Sequence, residues 1–161
     1  MQDITRHIAT YKAQLEKGDI REAYTYLLKY VRHLAAHFES RLSGKYSFGN
    51  ISPGYMDFTY FPFFDAFLRE RKLRFGIVLN HRDMRFELWL MGQNAEVQKQ
   101  YWDALKDTPW NMGRTEMPKY SVLEAVLVEH PDFEKTDMLS SRIEEEAIRI
   151  TDAIIERIKA L

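Results

Sequence analysis

The stretch from Leu73 to Met91 constrains the fold most, because two runs of alternating apolar residues flank Asn80, His81, Arg82 and Asp83. Successive side chains of a strand point to opposite faces. Leu73, Phe75, Ile77 and Leu79 therefore share one face of an antiparallel hairpin with Met84, Phe86, Leu88 and Leu90. Pairing Leu79 with Met84 sets Ile77 against Phe86, Phe75 against Leu88 and Leu73 against Leu90. The other face then carries Val78 against Arg85, Gly76 against Glu87 and Arg74 against Trp89. A slip of one residue would bury the charges and expose the apolar set, so the facing of each side chain is strongly specified.

The rest of the chain supplies what such a hairpin needs to cover its apolar face. Ile4, Ile8, Tyr11 and Leu15 recur at helical spacing up to Gly18, which predicts a helix closed by a left-handed glycine. Asp19 and Glu22 read as a capping box that opens a second helix, with the stripe Tyr24, Leu27, Val31, Leu34, Phe38 and Leu42. The two are expected to form a helical hairpin over residues 1–44, packed face to face. Tyr55 to Phe61 reads as a strand ended by Pro62, and Phe63 to Arg71 as a short helical turn. Asn94 can cap a helix carrying Val97, Tyr101 and Leu105. Tyr120 to Val128 reads as a strand covered on both faces, and a last helix starts near Asp137 or Ser141. The resulting order, ααβββαβα, predicts an α+β fold: a mostly antiparallel sheet with helices packed on its apolar face. With 161 residues, the expectation is one domain over 1–161, the sheet and its covering helices occupying 45–161.

Charge and composition narrow the partners. A formal net charge of −1 gives no general attraction to nucleic acid or to an anionic membrane. With no cysteine, thiol chemistry and Cys-ligated metal are excluded. Met1 to Lys17 is charged and amphipathic rather than a signal peptide, and no apolar run approaches the ~20 residues of a membrane span, so a cytoplasmic location is expected. The partner classes left are a small polar ligand or another protein, with nothing opposing a homo-oligomer. No cofactor is called for.

Three constellations are candidates for chemistry. The polar face of the hairpin gathers Arg74, Arg85, Glu87 and Trp89, and Asp57 and Tyr55 would join it if the first strand pairs alongside with matching parity. There the aromatic rings can stack on a ligand while the arginines bind an anionic group. The plainer alternative is a solvated face in which Arg74 lies over Trp89 and Glu87 sits between the two arginines. His33 and His37, four apart on a helix, have the spacing that helical metal sites use, but no third ligand accompanies them, so no metal is expected. Glu144, Glu145 and Glu146 read as a solvated helix face.

YMDFTYFPF at Tyr55 to Phe63, KLRFGIVLNHRDMRFELWLMG at Lys72 to Gly92 and EAVLVEHPDF at Glu124 to Phe133 carry a resemblance. The chain resembles a family of small prokaryotic proteins catalogued only as a domain of unknown function, over nearly its whole length. That resemblance implies no activity or catalytic residue. The order helix, three strands, helix, strand is also similar to the core of restriction-endonuclease-like nucleases. Those nucleases require a lysine two residues after the acidic residue, a position that Trp89 holds here after Glu87. Two functional readings follow: a non-catalytic module that binds a small ligand or a protein, or a hydrolase or metal-dependent enzyme, including a degenerate nuclease-like domain, built on His33 and His37 or on Asp57 and Glu87.

Overall fold

Asn80 decides where the central hairpin turns. In the computed structural model, which describes residues 3–161, its Oδ1 accepts the N–H of Asp83 at 3.1 Å, and Met84 closes the turn at φ 48°. Strands β3 (Leu73–Asn80) and β4 (Arg85–Gly92) therefore pair with Asn80 opposite Arg85. Leu79 faces Phe86, Ile77 faces Leu88, Phe75 faces Leu90 and Leu73 faces Gly92. This register is two residues from the one expected. A shift of two keeps the parity, so the apolar set still faces the core, but Met84 leaves it for the exposed turn. The opposite face changes partners too: Val78 meets Glu87, Gly76 meets Trp89 and Arg74 meets Met91.

Around this hairpin the sheet is an antiparallel meander of five strands in chain order. Strand β1 is the short Ser47–Phe48, β2 is Phe58–Phe64 and β5 is Leu123–Val128. Pro62 lies inside β2 instead of ending it. Its carbonyl accepts Gly49 N–H on the β1 side, so its missing N–H also points to that side, beyond the two-residue β1, and no bond to β3 is lost. Tyr55, Met56 and Asp57 precede β2 in a bent loop rather than forming its start. β5 is an edge strand, and Val126 on its second face is exposed, so it is not covered on both sides.

The helices are α1 (Ile4–Lys17), α2 (Asp19–Leu42), α3 (Ala66–Glu70), α4 (Ala95–Leu105) and α5 (Thr136–Lys159). The fold is α+β, with α2 to α5 packed on the apolar sheet face in one core that includes Phe38, Phe61, Phe75, Phe86 and Ile154. Between α2 and α5, Tyr30 Oη and Ser140 Oγ share a hydrogen bond of 2.9 Å, and the exposed Arg41 donates its Nε–H to the buried Glu144. Burial pushes the Tyr30 hydroxyl up to about 12. Glu144 is thus buried and engaged, whereas Glu145 is exposed as expected.

The N-terminal helices depart from expectation. Met1 and Gln2 of the amphipathic stretch lie outside the described residues. Gly18 breaks the helix at φ 86° and is itself the N-cap of α2, its carbonyl accepting Glu22 N–H at 3.0 Å. Asp19 is already helical and makes no capping bond. No residue of α1 is buried, and Ile8 and Tyr11 are 60% and 66% exposed, so α1 is not packed face to face on α2.

Candidate functional site

No helix contributes to the cluster on the second face of the sheet. There Val78, Trp89 and Met91 are buried with Phe58 and Tyr60 against them. Strand alternation puts these residues opposite the main core, and the Phe58 ring meets Trp89 edge-on at 4.8 Å. Gly76 keeps the floor low: a Cβ there would come within 2.6 Å of the Met91 methyl and 3.4 Å of the Tyr60 ring.

Over this floor lies an open groove of about 520 Å³. Loop residues Ser52, Gly54 and Asp57 border one end, Arg74 and the start of α4 the other, and Lys119 and Tyr120 one wall. Arg74 approaches only the Tyr60 hydroxyl, at 3.5 Å, and Lys119 lies 5.1 Å from the centre of the Tyr120 ring. Among the described residues neither cation has a carboxylate in ion-pair reach. Asp57 is held by its own loop, its Oδ1 accepting the N–H of Tyr55 at 2.8 Å and of Phe58 at 2.7 Å. These amides hold its carboxyl below the usual range.

Of the residues singled out from sequence, Arg74, Trp89 and Asp57 line the groove. Arg85, Glu87 and Tyr55 do not. Glu87 is 2% exposed and accepts from Arg85 Nε at 2.6 Å, Trp89 Nε1 at 2.8 Å and Asn80 Nδ2 at 3.0 Å. This is a buried structural knot beneath the groove, not a solvated charge pair. The hydrogen bond that Arg85 donates to Glu87 holds its guanidinium above its ordinary range, and Arg85 also reaches Glu129 at 3.4 Å. Arg74 does not cover Trp89, which meets Phe58 instead, and Tyr55 points away, 92% exposed. Beside the knot, burial pushes the Glu124 carboxyl up, with Arg114 at 3.9 Å opposing the rise and the Glu87 charge adding to it.

Phe58, Tyr60, Met91, Gln98, Lys119 and Tyr120 were missed. Tyr60 and Phe58 carry the period-two signal of β2 and could have been placed on this face by pairing β2 with β3. Gln98, Lys119 and Tyr120 come from distant segments, and no local pattern marks them.

Of the two histidines on α2, His37 packs against α5. His37 Nε2 lies 3.1 Å from Glu144 Oε1, and no group of three potential ligands is found among the described residues. His81 is instead part of the sheet end. Thr59 Oγ1 donates its only proton to the Pro53 carbonyl at 2.7 Å, so it accepts from His81 Nε2 at 2.8 Å. Burial pulls the His81 pKa down, against the attraction of Asp57.

Residues 4–158 match the family described as domain of unknown function (DUF7000). The chain belongs to that family. The DUF7000 match spans every strand and helix described above except the last residue of α5, in agreement with the resemblance carried by the hairpin and its neighbours. No curated protein and no solved structure matches the chain. No described helix is long and apolar enough to cross a membrane.

Proposed function

We propose that this protein is a single-domain, non-catalytic binding module whose groove takes a small ligand with a planar or apolar body and an anionic group. The supporting observation is the pair of cations, Arg74 and Lys119, left without carboxylates beside an aromatic floor that the helices leave uncovered. Buried surface normally hides aromatic clusters, and surface cations normally find partners or stand apart. Their convergence in one concavity gives a ligand both contact area and charge. Asp57 at the far end adds an acceptor for a donor group on the same ligand.

A catalytic reading has less to stand on. Of the two carboxylates that the nuclease likeness would use, Asp57 faces the groove while Glu87 is sealed under Trp89 and Arg85. Thermal denaturation against a panel of small planar carboxylates and phosphates tests the proposal, because a ligand that binds only the folded state raises the melting temperature. At least one compound should raise it in a concentration-dependent way, and Tyr60→Ala should abolish the rise. A panel without any such compound, or a rise that Tyr60→Ala leaves intact, contradicts the proposal.

A further inference from the structure

Resting on that reading of the groove, we infer that its Arg74 end is an oxyanion subsite, taking the carboxylate or phosphate of a ligand whose planar body lies over Tyr60 and Trp89. Arg74 pairs with Met91 in the sheet, which sets its side chain next to the β4–α4 junction. Gly92 lets the start of α4 tuck against the strand: a Cβ there would come within 2.8 Å of the Gln98 nitrogen. The Asn94 side chain takes the Val97 N–H at 2.9 Å, and Gln98 N–H bonds the Asn94 carbonyl. The N–H groups of Ala95 and Glu96 are left without intrahelical partners, at the positive end of the helix dipole.

Gln98 points to a ligand independently. It is more than nine-tenths buried, and its Oε1 accepts the Gly92 N–H at 3.0 Å. That bond fixes the amide orientation, so the NH2 is presented as a donor. The side chain lines the groove, and among the described residues the NH2 has no protein partner. A guanidinium fork, an unpartnered amide donor on a mostly buried side chain and free helix N–H groups are complementary to a multi-oxygen anion and to no cation.

A second concavity of about 300 Å³ adjoins this end and shares Arg74 and Gly92 with the groove. It adds Arg69, 5.7 Å from the Phe64 ring centre, and Lys72. Neither has a carboxylate in ion-pair reach among the described residues. The local charge is therefore positive although the chain as a whole carries −1. The Lys72 carbonyl accepts Gln93 N–H at 2.9 Å, which ties the start of β3 to the loop before α4 and keeps the donors in place.

The test is a titration of 15N-labelled protein with phenyl phosphate, inorganic phosphate and benzyl alcohol, repeated in Arg74→Gln and Gln98→Glu. Phenyl phosphate should shift the amides of Ala95 and Glu96 and the Gln98 NH2 together with Tyr60 and the Trp89 indole. Inorganic phosphate should shift only the first group and require a higher concentration. Both substitutions should weaken phenyl phosphate at least tenfold and leave benzyl alcohol unaffected. Arg74 is exposed, so Arg74→Gln decides the matter even if Gln98→Glu does not fold. Shifts at Tyr60 and Trp89 with unchanged affinity in Arg74→Gln would overturn the oxyanion subsite while leaving the groove reading in place. Silence of all groove signals with all three probes would remove both.

Discussion

Replacing Glu87 by Gln probes the knot under the groove. The carboxylate is 2% exposed and accepts from three donors, Arg85, Trp89 and Asn80. Glutamine has one acceptor oxygen. Turned toward Arg85 and Asn80, it presents its NH2 to the Trp89 indole N–H and leaves that buried donor unsatisfied, which costs about 1–3 kcal/mol. The bond to Arg85 also loses its charge assistance, worth about 1 kcal/mol once the partial exposure of Arg85 is allowed for. Avoiding burial of a charge offsets part of the loss, giving a net destabilisation of about 1–3 kcal/mol. Urea denaturation followed by circular dichroism measures it. Trp89→Phe removes the orphaned donor, so Glu87→Gln should cost less in that background by about 1 kcal/mol or more. A loss under about 1 kcal/mol, the value of an exposed ion pair, together with zero coupling to Trp89, would refute the reasoning.

Three further outcomes follow from the fold. Phe86→Ala should cost about 3–5 kcal/mol in chemical denaturation and Met84→Ala under about 1 kcal/mol, because the turn at Asn80 puts Phe86 in the core and Met84 outside it; equal costs would favour the register two residues away. Gly18→Ala should cost about 1–2 kcal/mol for its positive φ, and Asp19→Ala no more than about 0.3–1 kcal/mol for charge near the helix start; the reverse ranking would restore Asp19 as the cap. His81 has a folded pKa below its ordinary 6.5. The unfolded state therefore takes up the proton first, and the stability contribution is present above pH 6.5 and lost as pH falls through the folded value. Melting temperature measured from pH 8 downward should decline below 6.5 in the wild type and less in His81→Gln, and parallel curves would contradict it.

The facing of residues was legible wherever period two was strong. Phe75, Ile77 and Leu79 alternate with residues of the other face, and any register of the right parity buries them. The register itself was not legible from apolar matching, since Leu79 finds an apolar partner in Met84 or in Phe86; the Asn80 side chain, which captures Asp83 N–H, selects between them. Pro62 reads as a strand end because it lacks an N–H, and only the shortness of β1 shows why the loss is harmless. The stripe on α1 has helical period, yet period alone does not say that a partner surface is present, and here Ile8 and Tyr11 stay exposed. For the site, Arg74 and Trp89 were reachable because one hairpin carries both. Gln98, Lys119 and Tyr120 are brought to it by the tertiary fold alone.

The central claim, that the uncovered sheet face is the functional surface, is tested most directly by a chain in which Trp89 is the only tryptophan, made by Trp102→Phe and Trp110→Phe. Trp89 lies in the groove floor with its indole N–H fixed on Glu87, so a ligand settling over Tyr60 and Met91 changes its surroundings without unfolding the knot. Titration with phenyl phosphate should give a saturable change in Trp89 emission that Arg74→Gln moves to higher concentration. An emission that stays constant while phenyl phosphate still raises the melting temperature would place binding elsewhere and contradict the claim.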